Sequence, residues 1–218
     1  MRLYDGVAFR IERHRADRSP VARRTRPARR ILLLGAQVHR MACRENGLIL
    51  AGVALRRTDI ADAAAPTLVF GWGNPSRGDD ALGPLFLERL EVLSAEHPEW
   101  GEIECLTDFQ LQVEHALDLC GRERVLFVDA SVNAPAPFTF SRLQPARDAS
   151  FTTHAMTPEA VLQVYQDIEG QPPPCWLLSI RAYQFELGDA ISSSAQENLA
   201  AALAWVKKSF LVCEAAAL

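Results

Sequence analysis

From Thr67 onward the apolar positions alternate between a short-run and a helical rhythm. "TLVFGWG" is an apolar run ended by glycines and predicts a strand. "ALGPLFLERLEVLSAEH" places Leu82, Leu85, Phe86, Leu90 and Leu93 at helical spacing, with Pro84 tolerable in the first turn. "GEIECLT" alternates and predicts a second strand, and "QVEHALDLC" a short helix stopped by Gly121. "RVLFVDAS" predicts a buried third strand with Asp129 at its carboxyl end, and "APAPFTFSRLQ" a proline-entered strand nearer an edge. A polar loop with "TTH" follows. "TPEAVLQVYQDI" opens with Thr157 as N-cap, Pro158 at the first helical position and Glu159 in the first turn. "CWLLSIRAYQF" predicts a last strand. "SSSAQENLAAALAWVKKSFLVCE" predicts a closing helix, with Ser194 and Glu197 in a capping-box pattern.

Strands separated by helices of this length predict an α/β fold: a twisted, mostly parallel sheet with helices on both faces, a three-layer sandwich. Residues 66–218 make a sensible single domain. Before them the pattern fails. "RIERHRADRSPVARRTRPARR" is too polar and too charged to bury a core, so residues 1–65 are expected to be a poorly ordered, Arg-rich extension.

Charge sharpens this division. Residues 1–65 carry 14 arginines and 6 acids, whereas residues 66–218 carry 9 basic and 21 acidic side chains. The formal net charge of -4 gives no case for a nucleic-acid or membrane partner. "ILLLGAQVHRMACRENGLILAGVAL" is interrupted by Arg40, Arg44 and Glu45, so it does not predict a membrane span. "RRILLLGA" faintly resembles an export or transit signal, but its apolar part is short and no clean cleavage site follows. The five cysteines, Cys43, Cys105, Cys120, Cys175 and Cys213, include no C-x-x-C pair. Buried, inert thiols in a reducing cytoplasm are the expectation.

Ligands of open α/β sheets bind outside the carboxyl ends of the strands. The sequence places Asn74, Arg77, Asp79 and Asp80 after strand one, and Thr107, Asp108 and Gln110 after strand two. Asp129, Ser131 and Asn133 come at the end of strand three, and His154 before the next helix. One acid of the Asp79–Asp80 pair can cap the following helix, but two are more than a cap needs. Asp79 is assigned to capping or loop structure and Asp80 to chemistry. Asp129 could simply form a turn, yet it ends a strand too apolar to bury a carboxylate easily. Arg77 is either an exposed loop residue or a contact to an acidic partner. His115, beside Glu114 in a helix, is expected at the surface. Asp80, Asp129 and His154 come from three separate segments and can converge on one divalent transition metal: nickel, zinc or iron.

"GWGNPSRG" is not a dinucleotide fingerprint. Its spacing is wrong, Pro75 interrupts it, and two carboxylates would repel a pyrophosphate. The glycines are expected to allow a sharp turn and close approach by something larger.

"GWGNPSRGDDALGP", then "VLFVDAS", then "HAMTPEAVL" closely resemble, in that order, the hydrogenase maturation endopeptidases. The resemblance runs from residue 67 to about residue 210. It implies an endopeptidase that removes a C-terminal peptide from the nickel-loaded large subunit of a nickel–iron hydrogenase. It also implies an aspartic-type family assignment and Asp80, Asp129 and His154 as the nickel-recognition and catalytic set. Nickel would arrive on the precursor, the enzyme itself holding metal weakly or not at all. A cytoplasmic monomer with the large-subunit precursor as partner is the expectation. "TDFQLQVEHALDL" replaces the glycine-rich turn many members carry after strand two, and resembles a subgroup serving soluble, NAD-linked hydrogenases. No conventional nucleophile stands in the sequence: there is no G-x-S-x-G elbow. Two other readings share some features. A non-catalytic nickel-site assembly chaperone would use the same ligands without cutting. Peptidyl-tRNA hydrolase also opens with G-x-G-N-P, but needs a histidine–asparagine element and a basic face that this domain lacks.

Overall fold

The computed structural model describes residues 49–50, 53–54, 64–147 and 156–212. The expectations for the Arg-rich extension, and for His154, Cys43 and Cys213, lie outside these residues. Ile49–Leu50 and Val53–Ala54 form a two-stranded antiparallel ladder. The main sheet has five strands: β1 (Thr67–Trp72), β2 (Ile103–Asp108), β3 (Arg124–Ser131), β4 (Phe138–Arg142) and β5 (Cys175–Arg181). Three α-helices accompany them: α1 (Leu82–Glu96), α2 (Pro158–Glu169) and α3 (Ser193–Trp205).

The strand order is β2-β1-β3-β5-β4. The first four strands in that order run parallel, and β4 lies antiparallel on the edge. This is the edge position that the proline-entered segment predicts. Alternation within the buried strands divides the core into two layers. Val69 of β1 and Leu126 and Val128 of β3 pack with Phe86 and Leu90 of α1 and with Leu199 of α3. Leu68, Phe70, Val125 and Phe127 face the other way, toward Val161 and Leu162 of α2 and toward Ala116 and Leu119. A sheet buried on both faces reads as continuous apolar runs, which is why "TLVF" and "VLFV" lack polar alternation.

Three local details differ from expectation. Val113–Leu119 is a 3-10 segment rather than an α-helix. The N-cap of α3 is Ser192, whose Oγ accepts from the Ala195 amide at 3.2 Å, so Ser194 lies inside the helix. Beyond Trp205 the helix widens into a π-helical turn over Val206–Phe210. Thr157 caps α2 as expected, accepting from the Ala160 amide at 3.2 Å. Cys105, Cys120 and Cys175 are free thiols, the latter two buried. Burial, followed by the charges of Glu91 and Glu104, pushes Cys105 up to about 12, and burial raises Cys175 as well. A thiol so disposed is inert at neutral pH, as the sequence predicts.

Candidate functional site

β1 lies between β2 on one side and β3 on the other. The chain leaves β1 toward β2 and later returns past it to β3, so the loops at their carboxyl ends part in opposite directions. Crevices of this kind form at such a switch point. Asp80 follows β1 there, and Asp129 stands near the end of β3, just beyond the Gly71–Val128 pairing.

The loop after β1 is wound tightly on itself. The Asn74 side chain accepts from the Ser76 amide at 2.9 Å, and the Asn74 carbonyl accepts from the Arg77 amide at 3.0 Å. A 3-10 turn over Gly78–Ala81 then leads directly into α1. Asp80 Oδ2 accepts from the Asn74 amide at 3.0 Å, which holds its carboxylate back over the start of the loop. Gly73 has φ +137°, and a Cβ built there would stand 2.0 Å from the Asp80 carbonyl oxygen. A Cβ on Gly83 would stand 2.3 Å from the Trp72 carbonyl oxygen. The glycines therefore serve a close approach, but the approaching body is the chain's own helix start. This corrects the expectation of a larger external partner at those positions.

Asp79 and Asp80 part company completely. Asp79 is fully buried. It accepts from the Ser192 amide (2.7 Å), the Tyr183 amide (2.8 Å), the Ser192 hydroxyl (2.9 Å) and the Gln184 amide (3.2 Å). Its role in loop structure is as predicted, but the loop is a distant one, between β5 and α3. It does not cap the helix that follows it; it orients the hydroxyl that caps α3. Arg77 serves the same junction, its Nε donating to the Phe185 carbonyl at 3.2 Å.

Asp129 is half-buried, and its Oδ1 accepts from the Ala130 amide at 2.8 Å. Burial pushes this carboxyl up to about 7. The Ala130 amide pulls it down, and the nearby charge of Asp80 pushes it further up. Both predicted carboxylates stand at the carboxyl ends of the neighbouring parallel strands β1 and β3, and the Asp80 charge bears on Asp129. Ser131 Oγ accepts from the Asn133 and Ala134 amides, a turn-forming role. Thr107 is exposed. Among the described residues, no three His, Cys, Asp or Glu side chains are grouped to hold a metal ion.

His115 is a correction. It is buried, not at the surface. Its ring lies against Phe70 with centroids 4.6 Å apart. Nδ1 accepts from the Gln112 amide at 2.9 Å, so the proton sits on Nε2, which donates to Asp108 Oδ2 at 3.3 Å. Asp108 Oδ2 also accepts from the Gln112 amide side chain at 3.2 Å, and Oδ1 from the Phe109 backbone at 2.7 Å. A neutral imidazole thereby ties the loop after β2 together. The neighbouring Glu114 suggested exposure, but the tight 3-10 spacing turns His115 inward onto β1. Only the Q-x-x-H spacing, readable as a reversed capping box, signals the arrangement in advance.

No model of a known protein family matches the sequence, and no curated protein matches it. Solved structures do. One is a NiFe hydrogenase maturation protease, HycI, from Thermococcus kodakarensis KOD1: 20% identity, 68% of this chain and 96% of that chain covered, TM-score 0.50. Another is the hydrogenase maturating endopeptidase HybD from E. coli: 22% identity, 66% and 93% covered, TM-score 0.49. A third is a hydrogenase 2 maturation peptidase from Thaumarchaeota archaeon SCGC_AB-539-E09: 22% identity, 66% and 97% covered, TM-score 0.47. The first of these likenesses identifies the fold that the sheet order describes.

Proposed function

We propose that this protein is an endopeptidase that removes a C-terminal peptide from the nickel-loaded large-subunit precursor of a nickel–iron hydrogenase. The observation that carries the reading is that Asp80, just after β1, and Asp129, near the end of β3, stand at the carboxyl ends of adjacent parallel strands beside the switch point of the sheet. Two carboxylates at one rim of a sheet suit a cation, and an incoming cation relieves their mutual repulsion. The fold is shared with a structure named as a hydrogenase maturation protease, which supports the same reading.

On this reading the nickel is part of the substrate. Asp80, Asp129 and His154 contact it, and the precursor's own ligands complete its coordination. Contact of this kind tests loading before cleavage. Hydrolysis then needs a water aimed at the scissile carbonyl and a base to take its proton; the acid pair supplies the base. Polarisation of the carbonyl by the bound metal lowers the same barrier. The enzyme acts as a monomer in the cytoplasm.

The test is mass spectrometry of nickel-loaded precursor after incubation with the purified protein. The wild type is expected to shorten the precursor by its C-terminal peptide. Asp80→Ala and His154→Ala are each expected to leave it full-length. Wild-type cleavage in either variant contradicts the assignment. An uncut precursor that nonetheless binds the wild type identifies an assembly chaperone instead.

A further inference from the structure

Eight large hydrophobic side chains are exposed among the described residues. Scattered singly they would mean little. Five of them, however, sit on the connections that leave one end of the sheet. Phe109 (67% exposed) and Val113 follow β2, Val132 follows β3, and Tyr183 and Leu187 (76% exposed) follow β5. All three loops leave the carboxyl ends of their strands, the end that carries Asp80 and Asp129.

Hydrogen bonds and a cation–π contact join these loops to one another and to the loop that carries Asp80. Phe109 adjoins Asp108, whose carbonyl accepts from the Gly73 amide at 3.2 Å, one residue from the Asn74 amide that holds Asp80. Leu187 adjoins Gly188, whose amide donates to the Ser76 carbonyl at 2.8 Å. Arg181 lies over the Tyr183 ring at 5.0 Å, and its guanidinium donates to the Val132 carbonyl. Each loop also has a polar anchor on its inner side. Asp108, Gln112 and His115 hold the first, Arg181 the second, and buried Asp79 the third. Exposed apolar tips therefore stand on loops held by polar anchors, beside exposed polar residues such as Gln110, Asn133 and Glu186. An apolar rim on fixed loops is the arrangement of a protein-binding surface, where little ordering remains to be done on association.

Charge selects the kind of occupant. Asp80 and Asp129 stand at the same end of the sheet, and residues 66–218 carry 9 basic against 21 acidic side chains. Anionic lipid headgroups and nucleic acid are repelled by such a domain. The cavity of about 560 Å³ lined by Arg142, Gln166 and Pro172–Pro174 opens beside the first residue of β5, the end of the sheet away from the acids.

We propose that Phe109, Val132, Tyr183 and Leu187 form a docking rim for a folded protein that presents an apolar patch around a cationic centre. The rim supplies affinity and the acid pair reads the centre. The occupant of the rim, and so the choice of probe, rests on the proteolytic reading.

The experiment titrates full-length protein with nickel-loaded large-subunit precursor, reading binding by calorimetry and cleavage by mass in parallel. Phe109→Ser and Leu187→Glu are each expected to raise Kd and KM about tenfold or more, with kcat at saturation within about twofold of wild type. Val92→Glu, an equally exposed apolar position on α1, is the control and is expected to change neither. Unchanged Kd in both rim variants, or an equal loss in Val92→Glu, overturns the rim. A wild type that binds but does not cut, with binding still lost in the rim variants, upholds the rim and removes the proteolytic reading. Precursor that does not bind the wild type overturns the rim outright. Binding to vesicles of anionic phospholipid that depends on Phe109 and Leu187 also overturns it.

Discussion

Replacing Asp129 by asparagine separates what the site does from what it takes from stability. In the folded chain the Asp129 carboxyl titrates at about 7 rather than 3.8, because burial and the neighbouring Asp80 charge oppose its ionisation. Between those two pH values the folded protein holds a proton that the unfolded chain releases. Stability therefore falls as pH rises from about 4 to about 7, and levels off above that. The interval corresponds to a ceiling of about 4 kcal/mol at roughly 1.4 kcal/mol per pH unit. Partial exposure reduces what is realised, so about 2–3 kcal/mol is the expected change between pH 5 and pH 8. Asparagine keeps an oxygen to accept from the Ala130 amide but cannot ionise. Asp129→Asn should thus match wild type near pH 4 and exceed it by a margin that grows to pH 8. Urea denaturation of both proteins at pH 4, 5, 6, 7 and 8, with a chelator present, measures the margin directly. Parallel pH profiles, or a variant less stable than wild type at pH 8, refute the reasoning. The same substitution is expected to abolish precursor processing, a more stable protein that no longer works.

Two further substitutions probe the junction beneath the site. Asp79→Ala leaves four donors on the β5–α3 loop without their acceptor; a loss on the order of 3 kcal/mol or more is expected in urea denaturation. Amide exchange should accelerate at Tyr183, Gln184 and Ser192 before it does so in the strands; unaltered protection there would contradict the assigned role. Gly73→Ala forces a Cβ to within 2.0 Å of the Asp80 carbonyl oxygen at a φ of +137°. It should destabilise by about 3 kcal/mol or more, so a melting temperature within about 1 °C of wild type would show that the loop yields more easily than its packing suggests.

Elements whose information is local were legible in the sequence. Apolar runs in β1, β3 and β5 and the helical spacing of α1 follow from side-chain period alone. The Thr157–Pro158 start of α2 follows from chemistry within one turn. From that element order the parallel sheet follows, and with it the rule that places Asp80 and Asp129 at one rim. The cap of α3 was harder to read, because three consecutive serines satisfy the local pattern and only Asp79, remote in sequence, makes Ser192 the one used. Burial of His115 was equally illegible. It depends on the Phe70 ring across the layer and on an aspartate at the end of another strand.

The sequence by itself determined the alternation of strands and helices, the edge position of β4 and the burial of the Cys120 and Cys175 thiols. It also determined that a carboxylate would emerge after each of two strands. Those features depend on period, propensity and turn chemistry, which act over a few residues. Tertiary structure alone decided which of two adjacent aspartates is buried, why Gly73 and Gly83 must lack a side chain, and that Phe109, Val132 and Leu187 stand exposed at the carboxyl end of the sheet. The glycine contacts span seven and eleven positions and those of Asp79 more than a hundred, and no local pattern records which of these the folded sheet will bring together.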